Sequence, residues 1–113
     1  MNEVKAFIRR DKAEAVIDAL ETNGVVNLTV SNVKGIGRSL AQKSGSKYSV
    51  NLTQKYSKIT KLEIVCRAKD TAMIVDTLSK SAFTGQQGDG MIYVVPVETA
   101  VKIKTGVYGG EAL

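Results

Sequence analysis

The strongest constraint on how this chain folds is an internal echo. Ile8-Arg9 followed by Val16-Ile17-Asp18-Ala19-Leu20 matches Cys66-Arg67 followed by Ile74-Val75-Asp76-Thr77-Leu78 at one constant offset. Each half reads as a strand, an amphipathic helix and a second strand. Two such halves in 113 residues predict the order β–α–β–β–α–β, an α+β, ferredoxin-like sandwich with one antiparallel sheet and both helices on one face. A chain of this length sustains a single core, so residues 1–113 form one domain.

Period-two alternation marks residues 3–9 as the first strand, with Val4, Ala6 and Ile8 on one face. Asp11 followed by Glu14 has the form of a capping box at a helix start. The helix then runs to about Asn23, buries Ala13, Val16, Ile17 and Leu20, and stops at Asn23-Gly24. β-Branched residues predict a second strand over 25–33, a third over 59–66 and a fourth over 91–97, closed by Pro96. A second helix over 69–80 offers Met73, Ile74, Val75 and Leu78 to the core. Residues 35–58 carry Gly35, Gly37 and Gly45 among serines and lysines without sustained periodicity. A polar connection of that length in a small domain is usually functional.

Charge and composition narrow the function classes. A formal net charge of +5 and a pI near 9.4 favour acidic partners: nucleotides, nucleic acid, or acidic proteins and membranes. The chain contains no histidine, which removes the commonest general base and metal ligand. A catalytic base could only be Asp or Glu, and nothing nominates one, so no catalytic residue is assigned and the chain is read as a non-enzyme. The single Cys66 excludes an internal disulfide, fits a reducing compartment and sits in an apolar run as a structural thiol. No signal peptide opens the chain, and no apolar run approaches the roughly 20 residues of a membrane span. A cytoplasmic location is expected. RNA-recognition domains share this element order but stack bases on aromatic residues of the central strands. Aromatic content is 5%, and the central strands offer only Phe7, so no nucleic-acid partner is expected.

The chemistry concentrates in Thr84-Gly85-Gln86-Gln87-Gly88-Asp89-Gly90. Glycines at this density let successive amides point into one concavity, which suits an anion and above all a phosphate. Lys102-Ile103-Lys104-Thr105-Gly106 places two ammonium groups on one face if the segment is extended. Together they read as a polyphosphate site. No Gly-Lys-Ser/Thr of a P-loop is present, and Gly35-Ile36-Gly37 lacks the third glycine of a dinucleotide fingerprint.

These motifs, with Val33-Lys34-Gly35-Ile36-Gly37-Arg38 before them, resemble the PII signal-transduction proteins in order and across essentially the whole chain. The resemblance implies a compact homotrimer with ATP or ADP in each lateral cleft between neighbours. Residues 84–90 would be the B-loop, with Thr84, Gly85, Gly88, Asp89 and Gly90 around the phosphates. Lys102 and Lys104, in the C-terminal segment 101–113, would reach the same phosphates from the adjacent subunit, where the family usually has arginine. Gly35, Gly37 and Arg38 would stand at the root of a T-loop spanning about 37–58, Thr29 near the adenine, and Glu63 and Val65 along the base pocket. A regulated partner, a membrane transporter or a metabolic enzyme, would read the T-loop.

Departures from the family pattern bear on ligands. Met91 follows the last B-loop glycine where many members carry a phosphate-contacting lysine. Ser39 stands where sensors of 2-oxoglutarate carry a metal-binding glutamine, and both Lys55 and Lys58 compete for the lysine that pairs with that ligand. These differences argue against 2-oxoglutarate and leave Mg²⁺-assisted nucleotide binding open. Tyr48 resembles the modified T-loop tyrosine, although an unmodified exposed tyrosine is the better reading. Two alternatives stay in view: a PII-like sensor of AMP, a cyclic nucleotide or bicarbonate outside nitrogen control, and a nucleic-acid-binding ferredoxin-like domain.

Overall fold

A computed structural model describes residues 1–36 and 57–113. Strands β1 (Asn2–Arg9), β2 (Thr29–Gly35), β3 (Ser57–Cys66) and β4 (Gly90–Pro96) form one antiparallel sheet in the order β2-β3-β1-β4. Helices α1 (Ala13–Thr22) and α2 (Thr71–Ala82) pack on each other and on one face of that sheet. This is the ferredoxin-like sandwich that the repeated pattern predicts. The pairing is crossed between the halves: β2 follows α1 but pairs with β3, and β4 follows α2 but pairs with β1. Neither half can complete its sheet without the other.

The core is the intersection of the two periodicities. Val4, Ala6 and Ile8 from β1 and Leu62, Ile64 and Cys66 from β3 meet Val16 and Leu20 of α1 and Ile74, Leu78 and Ala82 of α2. Ala13, Ile17, Met73 and Val75 flank this cluster and are partly buried. The stripe Ile74, Leu78, Ala82 has i, i+4 spacing, and Ala82 extends α2 a half-turn past the predicted end at residue 80. Both helices are entered through a one-turn 3₁₀ segment, Arg10–Lys12 before α1 and Ala68–Asp70 before α2.

Three local expectations are corrected. The capping box at Asp11 and Glu14 does not form: the 3₁₀ turn moves the α1 cap to Lys12, which makes no side-chain cap bond. Residues 25–28 are not strand, because α1 ends in a Schellman motif. Gly24 takes φ +87° and donates to Glu21 O, while Val25 donates to Leu20 O at 3.0 Å. Val25 is 8% exposed and serves as the apolar closure of that motif, so β2 starts only at Thr29. Residues 102–106 are not extended. Lys102 N–H donates to Val107 O, Gly106 N–H to Lys102 O, and Val101 bridges Tyr108, which makes a tight hairpin with Ile103 fully exposed at its tip. The strand alternation expected to align Lys102 with Lys104 therefore does not apply.

Candidate functional site

Residues 84–90 link the end of α2 to β4 and fold around one carboxylate. Asp89 accepts hydrogen bonds from the Thr84 hydroxyl, the Thr84 amide at 2.8 Å and the Gly85 amide at 2.9 Å. Arg9, at the end of β1, donates its Nε to the same carboxylate at 2.9 Å and its Nη2 to Gln87 O. The Thr84 hydroxyl also accepts from the Gln86 amide. The Thr84 hydroxyl foremost, then the Thr84 amide, Arg9 and the Gly85 amide hold the Asp89 carboxyl far below the usual carboxylate range. Asp89 is thus the centre that shapes the loop, with its oxygens already taken up. The amides of residues 84–86 are likewise used inside the loop, and those of Gln87 and Gly88 meet no acceptor among the described residues.

Glycine is obligatory at the exit of this loop. Gly90 takes φ +103°, and a Cβ there would lie 1.7 Å from Phe7 O. Strand β4 starts against β1 at this point, with Gly90 opposite Ile8. Gly85 and Gly88 also take positive φ, and Gly88 lies against the Arg9 guanidinium.

A second feature lies elsewhere. Thr29, Glu63 and Val65 line a groove of about 710 Å³ with Glu3, the 26–28 segment, Lys102 and residues 112–113. Thr29 opposes Glu63 across β2 and β3, and Val65 opposes Glu3 across β3 and β1, so the groove floor is the sheet face away from the helices. Glu63 is paired with Lys61 at 3.4 Å and Glu3 with Lys5 at 3.7 Å. Lys102 supplies a basic wall. Lys104, in the hairpin turn, is not among the residues lining the groove.

The structure therefore divides the predicted site residues into groups. Thr29, Glu63, Val65 and Lys102 share the groove. Thr84, Gly85, Gly88, Asp89 and Gly90 belong to the loop entering β4. Gly35 ends β2, opposite Ser57, at the same end of the sheet as Gly90 but on the opposite edge. Three strand spacings of about 4.8 Å separate those edges, roughly 14 Å. Gly37, Arg38, Ser39, Tyr48, Lys55 and most of the T-loop span lie outside the described residues.

Sequence reasoning missed the arginines. Arg9 and Arg67 are equivalent in the internal repeat, Arg9 as the last residue of β1 and Arg67 as the residue just after β3, and each reaches a carbonyl in a glycine-bearing segment: Arg9 to Gln87 O, Arg67 to Gly110 O. Arg10 donates Nη2 to Val33 O at 3.1 Å and to Ile59 O at 3.4 Å. The matched Ile8-Arg9 and Cys66-Arg67 pairs carried the signal, which served only for fold. Tyr93 was likewise not named. It meets Phe7 edge to face on the open sheet face, centroids 5.9 Å apart. Among the described residues, no group of His, Cys, Asp or Glu is arranged to hold a metal, and no helix is long and apolar enough to cross a membrane.

The crossed βαβ sheet with a glycine loop at one strand entrance defines a ferredoxin-like domain, the architecture that the motifs implied. The family model "Nitrogen regulatory protein P-II" matches residues 1–107. The nitrogen regulatory protein P-II 1 of Methanothermobacter thermautotrophicus is 40% identical over 116 aligned positions, covering 100% of this chain and 97% of the relative. The P-II protein of Synechocystis is 41% identical with full coverage of both chains. The crystal structure of Arabidopsis thaliana PII bound to citrate superposes with a TM-score of 0.81 at 29% identity, covering 99% of this chain and 91% of that one. This chain belongs to the nitrogen regulatory protein P-II family. That placement disfavours the reading outside nitrogen control and the nucleic-acid reading.

Proposed function

We propose that this P-II protein is a cytoplasmic, non-enzymatic regulator that binds ATP and ADP in clefts completed by a neighbouring copy in a homotrimer. The observation that carries the reading is the separation of two complementary half-sites on one chain. One, at residues 84–90, has open amides at Gln87 and Gly88 but no uncommitted cation among the residues that shape it: Arg9 is paired with Asp89, and Met91 follows Gly90. The other, the groove, has Lys102, a hydroxyl at Thr29 and a carboxylate at Glu63, suited to a phosphate, a base edge and a ribose. A nucleotide needs both chemistries within one ligand length, and a second copy brings the groove of one chain to the loop of the next. In this reading Gly35, Gly37 and Arg38 stand beside the nucleotide, Lys104 approaches the phosphates from the hairpin of the neighbour, and Mg²⁺ is held through the phosphates.

Occupancy then biases a regulated partner, a transporter or a metabolic enzyme, through the T-loop, to the extent that the ligand distinguishes T-loop states. Calorimetric titration with ATP, ADP, AMP and cyclic AMP, with and without Mg²⁺ and 2-oxoglutarate, tests the proposal. ATP and ADP should bind in the micromolar range without a requirement for 2-oxoglutarate. Binding of every adenine nucleotide weaker than about 1 mM would sink it.

A further inference from the structure

We infer that the dipeptide Arg9-Arg10 mechanically couples the 84–90 loop to the root of the connection between β2 and β3. The two regions sit on opposite edges of the sheet, with β3 and β1 between them. Consecutive residues at the end of β1 reach in both directions. Arg9 binds the Asp89 carboxylate and Gln87 O on the β4 side. Arg10 binds Val33 O and Ile59 O on the β2–β3 side.

The contacts on the second side are the last pairs of the ladder. Val33 and Ile59 are register partners, and the next pairs, to Gly35 and Ser57, close it. Ile59 packs so tightly on Gly35 that a Cβ there would lie 2.1 Å from Ile59 Cδ1. Ile59 is also the register partner of Arg9. A shift of the loop that displaces Arg9 therefore acts on a strand end already gripped by Arg10, and Gly35, which lies against the Ile59 side chain, is next in line. The chain of contact runs Asp89, Arg9, Arg10, Ile59 with Val33, Gly35.

The Arg10 side chain is a device for position rather than for stability. Its Nε is buried without an acceptor among the described residues, a group whose desolvation opposes folding. A methionine would keep the apolar stem and remove the stranded N–H, but it would release both carbonyls. Arginine at this place adds the grip on two paired carbonyls. Both residues are positioning residues and contact no ligand in this role.

The inference rests on the nucleotide reading for its physiological ligand, but its test uses none. A double-mutant cycle combines Asp89→Asn, which loosens the loop, with Arg10→Met, and follows amide hydrogen exchange in the intact protein. Asp89→Asn should accelerate exchange at residues 33–35 and 57–60 about fivefold in the wild-type background, and less than about twofold with Arg10→Met. Exchange within 84–90 should rise equally in both backgrounds. No acceleration at the β2–β3 root, or the same acceleration with and without Arg10, would overturn the coupling. If Arg10→Met unfolds the protein, Arg10→Lys carries the cycle: it keeps the charge, loses the planar fork and should give an intermediate coupling. A parallel exchange run with ATP separates the two claims. An intact cycle without ATP protection would refute the nucleotide reading and leave the coupling standing.

Discussion

Replacing Gly90 with alanine isolates the steric requirement at the loop exit. The new Cβ would fall 1.7 Å from Phe7 O, 2.8 Å from Phe7 C and 3.3 Å from Ile8 Cα, all of them backbone atoms of β1. Carbon–oxygen contacts settle near about 3.3 Å, so β4 must retreat by roughly 1.5 Å at its first residue. No rotamer can relieve this. The φ of +103° adds backbone strain of about 1–3 kcal/mol. Overpacking of a fixed site typically costs about 1–3 kcal/mol more, giving about 2–6 kcal/mol in all. Gly24→Ala is the internal control. Its φ is +87° and its Cβ would meet nothing within 4 Å, so only the left-handed penalty of about 1–2 kcal/mol applies. Urea unfolding of both variants at one fixed protein concentration measures the difference, since assembly would make stability concentration-dependent. Equal losses for the two variants would refute the claim that Phe7 O dictates glycine at position 90.

Three further outcomes follow from particular contacts. The Asp89 carboxyl is depressed in the folded state, so its stabilising contribution is complete above the ordinary carboxylate value of about 4 and is lost as pH falls toward the folded value. The stability gap between wild type and Asp89→Asn should accordingly narrow on acidification below about pH 4 in denaturant titrations, and a pH-independent gap would contradict it. Leu78 is fully buried between the helices and the sheet, so Leu78→Ala should cost about 2–5 kcal/mol and Leu78→Met under about 1.5 kcal/mol by chemical unfolding. Lys102→Ala should weaken ATP by about tenfold or more while leaving adenosine nearly unchanged by calorimetry, because Lys102 walls the groove and, in the proposed site, meets the phosphates. Equal losses for both ligands would point to a damaged fold.

The fold was legible because its core follows two clean periodicities. Val4, Ala6 and Ile8 alternate, and Ile74, Leu78 and Ala82 recur every fourth residue, so burial follows from spacing alone. Val25 was misread because a β-branched residue after a helix fits either a strand or a Schellman closure, and the choice depends on hydrogen bonds to Leu20. Lys102 and Lys104 were misread because Gly106, which permits the turn, outweighs the local strand propensity of Val101 and Ile103. Among the site residues, the glycine loop announced itself, while the use of Asp89 to organise it depended on Arg9, which is remote in sequence. That the loop and Lys102 belong to different half-sites was implied by the family resemblance and not by the spacing of the residues. Crossed strand pairing sends β2 and β4, the last strands of the two halves, to opposite edges, a distance that local sequence around residues 84–90 does not record.

The central claim is that loop and groove from different copies make one nucleotide site. Mixed oligomers of Lys102→Ala and Asp89→Ala chains test it most directly, by ATP titration against each variant alone. Each variant alone should bind ATP weakly, and co-assembly should restore a subset of wild-type-affinity sites, formed where an intact loop meets an intact Lys102 on its neighbour. Binding that equals the sum of the two separate variants would contradict a shared site.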